Sequence, residues 1–159
     1  MTKADQLAAA LDDLLAVSPD VEAAAIVSAD GLPMASALPP YVEEDRLAAM
    51  SAALLTLGER AAVGLGKGDL AQVFVEGTQG YVVLMAAGEN AVLVAVTSRS
   101  AKVGLVLFEM RKTAETVLAV MDEPSSPAAA PQEAPAPAPM TAPEPTPAAE
   151  TESTVSGWQ

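Results

Sequence analysis

The chain has 159 residues, neither cysteine nor histidine, 8 basic against 21 acidic residues and a formal net charge of −13. Without Cys or His, disulfides, thiolate metal sites and imidazole or thiol catalysis are excluded. A strongly acidic chain with no evident basic cluster argues against nucleic acid and anionic membranes as partners.

Composition divides the chain near Met121. From Pro124 to Gln159 there are nine prolines and four glutamates but no Lys or Arg. Such a segment has too little apolar surface to offset its ordering entropy, so 122–159 is expected to be a disordered, acidic Pro/Ala/Glu-rich tail and 1–121 the folding unit. Within 1–121 there are 15 acidic and 8 basic residues, a net −7. The N-terminus lacks a signal peptide's pattern, and no apolar run approaches the roughly 18 residues of a membrane span, so a cytoplasmic protein without membrane insertion is expected.

Taken in chain order, Lys3–Val17 reads as a helix with Leu7, Leu11, Leu14 and Leu15 on one face, stopped by Ser18-Pro19-Asp20. Val21–Ser28 reads as a strand buried on both faces, and Asp30-Gly31 as a hairpin turn with positive φ values. Leu32–Ala37 returns, with Pro33 best placed on a sheet edge. Pro39-Pro40 ends that strand, and Glu43, Glu44 and Asp45 suit a helix N-terminus. The second helix is expected from Val42 to Val63, with an apolar stripe of Leu47, Met50, Leu54, Leu57 and Ala61. Alanines widen it beyond what one sheet covers, which calls for a second partner. Gly64-Leu65-Gly66-Lys67-Gly68 closes the helix.

Three β-type runs follow, Leu70–Glu76, Tyr81–Ala87 and Ala91–Thr97, joined by hairpin-length connections. They predict an antiparallel meander. A third helix, with Val103, Val106, Leu107, Met110, Ala114, Val117 and Met121 facing the core, ends near Met121.

Candidate chemistry is sparse. A Walker A reading of Gly64–Asp69 fails because Gly68 stands where Ser or Thr is needed, Ala61 where Gly is needed, and the segment leads from helix to strand. A dinucleotide fingerprint fails because its third glycine would fall on Asp69. Contiguous Glu43, Glu44 and Asp45 fan around a helix start and make no acid–base pair. Ser98 and Ser100 have no base partner. No catalytic residue, cofactor or metal is therefore expected, and the chain is read as a non-enzyme. Trp158, alone at the end of the tail, is a candidate anchor for a partner.

Element order and turns together resemble the roadblock / dynein light-chain family in its bacterial and archaeal form. The resemblance rests on Val27–Pro33, Gly64–Leu70 with Val73–Glu76, Gly80–Val83, Leu93–Val96, Val103–Val106 and Glu109-Met110-Arg111. It implies a profilin-like α/β fold, a five-stranded antiparallel sheet between one long helix and two terminal helices. It further implies a homodimer through the second helix and the first meander strand, involving Leu47, Met50, Ala53, Leu54, Leu57, Ala61, Leu70, Gln72 and Phe74. Family members bind Ras-like small GTPases, and some act as GTPase-activating partners; others are scaffold subunits. A GTPase-binding regulatory homodimer is thus expected, with a GTPase-independent scaffold using the tail as the alternative. A small-molecule sensor is disfavoured, because so few aromatics leave little to shape a pocket.

Overall fold

The computed structural model describes residues 1–124; the rest of the expected tail, 125–159 with Trp158, lies outside them, and Asp122, expected in the tail, ends the third helix. The elements are α1 (Lys3–Val17), β1 (Val21–Ser28), β2 (Pro33–Ala37), α2 (Glu44–Gly64), β3 (Gln72–Gly77), β4 (Gly80–Ala86), β5 (Ala91–Ser98) and α3 (Val103–Asp122). All five strands form one antiparallel sheet in the order β2-β1-β5-β4-β3. β1 and β5 lie in the middle, which is why both carry nearly unbroken apolar runs. Pro33 sits on edge strand β2, where the sheet loses least by its missing N–H.

Alternation along the strands sends side chains to two cores. On one face Ala24, Ile26, Val83, Met85, Leu93 and Ala95 meet Leu7, Leu11 and Leu14 of α1 and Val106, Met110 and Val117 of α3. On the other, Ala25, Val27, Leu84, Val92 and Val94 meet Leu47, Ala48 and Leu55 of α2. The sheet is therefore sandwiched between a layer of two helices and a layer of one.

Several boundaries move from their expected places for local reasons. Val42 donates its N–H to the Pro39 carbonyl in a turn, so α2 starts at Glu44 and not at Val42. β3 starts at Gln72 because Leu70 packs into the α2 core ahead of the strand. The Asp30-Gly31 turn has positive φ at Gly31 alone (87°), not at both residues. At Gly77 and Gly80, the hairpin glycines, φ is not positive. Gly80 is demanded instead by crowding, since a Cβ there would lie 2.0 Å from the Thr97 carbonyl oxygen.

α2 contains no charge-free run longer than Leu47–Gly58, yet averaged over an 18-residue stretch it is the most apolar helix among the described residues. At 21 residues, with only Glu59 and Arg60 charged after Arg46, it is long and apolar enough to cross a membrane by length and composition. One of its faces, Leu47, Ala48, Ser51 and Leu55, is buried on the protein's own sheet.

Candidate functional site

The unusual surface of the domain is the outer side of α2 together with the free edge of β3. Helical geometry divides the expected apolar stripe in two. Leu47 is buried and Leu54 is packed against the sheet-facing cluster. Met50, Ala53, Leu57 and Ala61, spaced 3, 4 and 4 residues apart, run along the uncovered side, and Leu57 is 63% exposed. Val63 and Leu65 extend the exposed apolar surface at the helix end. Small residues at 53 and 61 flatten this ridge enough to admit a closely packed second helix.

β3 hydrogen-bonds to β4 only, leaving its outer edge without a strand partner among the described residues. Its side chains alternate. Val73 faces α2 and Val75 follows it on the same face, whereas Gln72, Phe74 and Glu76 stand opposite Met85, Val83 and Tyr81 on the α1/α3 face. Phe74 is 41% exposed and stacks on Tyr81 at a ring distance of 5.3 Å. Beside α2, at the end of the sheet near the Gly77–Gly80 turn, a shallow depression of about 410 Å³ over Glu22, Val75, Val82 and Val96 is lined by no α2 residue.

The structure thus brings Met50, Ala53, Leu57 and Ala61 together on one exposed face. It assigns Leu47, Leu54 and Leu70 to the protomer's own core, and it turns Gln72 and Phe74 to the other side of the sheet. Leu47 in particular has almost no surface left for a partner. Sequence reasoning missed Val75, whose signal was its two-residue spacing from the core-facing Val73.

The segment after α2 is a helix stop. Leu65 N–H donates to Ala61, Gly66 N–H to Val63 and Lys67 N–H to Ala62, with positive φ at Gly66 and Gly68. Those amides satisfy the helix's last carbonyls and are not aimed at a phosphate. Among the described residues no group of three or more acidic side chains is placed to hold a metal ion.

This architecture, a five-stranded antiparallel sheet with a helix pair on one face and a long helix on the other, defines a profilin-like domain. Residues 4–97 match the Roadblock/LC7 domain family, and the chain belongs to that family. An uncharacterised protein of Methanocaldococcus jannaschii is 34% identical over 100 residues, covering 63% of this chain and 87% of that protein. Among solved structures, the Roadblock/LC7 domain from Streptomyces avermitilis is 26% identical, with a TM-score of 0.66 over 69% of this chain and 92% of that one. Myxococcus xanthus MglB shares the fold at 19% identity, with a TM-score of 0.69 over 74% of this chain and 89% of its own. Acanthamoeba castellanii profilin II shares it more distantly, at 18% identity and a TM-score of 0.51, over 68% of this chain and 93% of its own.

Proposed function

We propose that this protein is a non-enzymatic homodimeric platform that binds a Ras-like small GTPase and modulates its hydrolysis. The observation that carries the reading is the uncovered stripe Met50–Ala53–Leu57–Ala61 lying beside the unpaired edge of β3. A two-fold axis past this edge sets two α2 helices antiparallel, joins the β3 strands into one continuous sheet and removes both exposed features at once. Val75 meets the partner on the α2 side of that junction, with Gln72 and Phe74 on the other.

The GTPase partner is supported by membership of the Roadblock/LC7 family, which the chain matches over residues 4–97. The chain's own residues offer no imidazole, no thiol and no phosphate loop. Its contribution to hydrolysis is therefore to hold the GTPase's own switch segments in place, on a surface both protomers supply.

The test has two measurements. The isolated protein is titrated with GDP and a GTP analogue, then mixed with the small GTPases of its own cell in each nucleotide state. The expected result is no nucleotide binding by the protein alone, and a complex that prefers one nucleotide state of a GTPase. Tight nucleotide binding by the isolated chain overturns the reading of Gly64–Asp69. Failure to bind any GTPase of its cell in either state transfers the role to that of a scaffold.

A further inference from the structure

The β3–β4 hairpin decides which backbone groups the free sheet edge presents. Its loop holds only Thr78 and Gln79 between the paired Gly77 and Gly80. A pair that closes so short a loop exchanges both of its own N–H···O bonds, because no further pair exists inside it. The register then runs on without a bulge, so Val75 and Val73 also bond inward to β4. Gln72, Phe74 and Glu76 therefore turn their N–H and C=O groups outward, and none of these groups has a partner among the described residues. The same three residues carry their side chains on the α1/α3 face of the sheet.

A two-fold axis perpendicular to the sheet, which joins the two β3 strands antiparallel, sets each residue opposite one on the same face. Such an axis falls at the position of a residue and never between two. At Phe74 it puts every outward group to use: Phe74 bonds its own copy, and Gln72 and Glu76 bond the partner's Glu76 and the partner's Gln72. At Val73 it sets Glu76 against the partner's Leu70, and at Val75 it sets Gln72 against the partner's Thr78, both outside the strand. At Gln72 or Glu76 it leaves still fewer bonds, and the second of these sets two carboxylates face to face.

Side chains favour the same position. Phe74 meets the partner's Phe74, so each Phe74–Tyr81 stack continues into its copy across the axis. On the other face Val75, 38% exposed, lies opposite the partner's Val73, and Val73 is the residue on which α2 rests at Gly58. The partner's helix thus covers Val75. Opposite Gln72 stands the partner's Glu76, whose carboxylate lies on the α1/α3 face. There Gln72 shares a crevice of about 310 Å³ with Arg111, Glu115 and Leu118 of α3. Arg111 is exposed, and no carboxylate among the described residues, Glu115 included, lies within ion-pair distance of it.

We propose that Phe74 stands on the two-fold axis of the homodimer and that Arg111 pairs with the partner's Glu76, once on each side of that axis. This register presupposes the homodimer reading above and adds to it the contacts that fix the two copies. The edge is complementary to itself: ring meets ring, amide meets carboxylate, and carboxylate meets guanidinium. Sliding one strand by two residues removes all three contacts at once.

The chain has no cysteine, so a single introduced thiol reports its own distance to its copy. Directly opposed residues of a hydrogen-bonded antiparallel pair have Cα atoms about 5.5 Å apart, within disulfide range. With Phe74 on the axis, Val73 and Val75 lie about 8 Å from their own copies, out of that range. The full chain is prepared as Phe74→Cys, Val73→Cys and Val75→Cys, its oligomeric state is recorded by light scattering, and it is oxidised with diamide at micromolar concentration. Phe74→Cys is expected to form covalent dimers about tenfold faster or more than the other two. Gln72→Cys/Glu76→Cys keeps the ring, is expected to cross-link as well, and decides the register should Phe74→Cys fail to associate. In urea at fixed protein concentration, Arg111→Glu and Glu76→Arg are each expected to lower the midpoint, and the exchange of both to restore about half of the loss or more. A monomeric parent overturns this register together with the homodimer. Three results on a dimeric parent overturn the register alone: fastest cross-linking at Val73→Cys or Val75→Cys, no cross-linking by either Phe74→Cys or the double thiol, or an exchange no better than the two single losses added.

Discussion

Gly58 and Val73 hold α2 against β3: a Cβ added at Gly58 would stand 2.9 Å from Val73 Cγ2, with Leu70 Cδ2 at 3.0 Å. A glycine in mid-helix gives up about 1 kcal/mol of helix propensity relative to alanine. Here it lets the helix settle onto an edge strand that has little else to pack on.

Gly58→Ala sets that propensity gain against crowding of about 1–3 kcal/mol, so it is expected to lose between about 0 and 2 kcal/mol of stability. Gly58→Val brings a branched side chain into the same gap and is expected to lose about 2–3 kcal/mol. Urea denaturation at a fixed protein concentration checks both, since any dimer makes the midpoint concentration-dependent. A parent-like Gly58→Val would show that α2 and β3 are not tightly apposed.

Gly80→Ala meets a harder obstacle. The atom in the way is the Thr97 carbonyl oxygen, part of the β4–β5 ladder in which Gly80 pairs with Ser98. A side chain can turn aside; a ladder carbonyl in the middle of a sheet cannot. The substitution is expected to cost about 3 kcal/mol or more and to lower the melting temperature by over 10 °C if the domain stays two-state. A melt within 2 °C of the parent would disprove the close approach.

Element types and order were readable because hydrophobic period and turn chemistry agree along most of the folded chain. Leu7, Leu11 and Leu14 recur at helical spacing, and Ala91–Thr97 is bounded by turns. The site was only partly readable. A stripe of Leu47, Met50, Leu54, Leu57 and Ala61 looks single in sequence, but a helix turns 100° per residue and the sheet covers only its Leu47 and Leu54 side. In β3, alternation separates Val73 from Phe74 once pairing with Leu84 and Val83 is fixed, and sequence alone does not fix which strands lie beside it. The reason for Gly80 was invisible for the same cause, because Thr97 lies seventeen positions away.

At the N-terminus, Thr2 and Asp5 form a capping box. The Thr2 N–H and hydroxyl donate to the Asp5 carboxylate at 3.0 and 2.8 Å, and the Asp5 N–H donates back to the hydroxyl at 3.2 Å. The backbone bond first, then the hydroxyl, holds the Asp5 carboxyl below the usual carboxylate range. A depressed folded-state pKa means the cap's contribution is present above the ordinary value and is lost as pH falls through the folded one. Carboxyl NMR titration should show Asp5 titrating below an unperturbed aspartate. Thr2→Val, which removes the hydroxyl bonds and keeps the backbone donor, should recover part of the difference; an unchanged titration would remove the hydroxyl from the cause.

The proposed dimer face can be separated from the core by charge placed on either side of the same helix. Ala53 and Leu57 are exposed in the protomer, so Ala53→Glu and Leu57→Glu put their carboxylates in water as long as the chain is alone. In a dimer closed over α2 they sit desolvated at an apolar contact without a cation opposite, a cost of about 3 kcal/mol or more per charge. Leu47→Glu differs, because Leu47 is buried among the Ala25, Val27 and Val94 cluster under α2. There the unpaired charge falls on the fold itself. Light scattering at micromolar concentration is expected to report a dimer for the parent and folded monomers for Ala53→Glu and Leu57→Glu. Leu47→Glu is expected to lose the cooperative melt altogether. A parent that runs as a monomer, or dimers that survive both outer substitutions, would place the association elsewhere than on the Met50–Ala61 ridge.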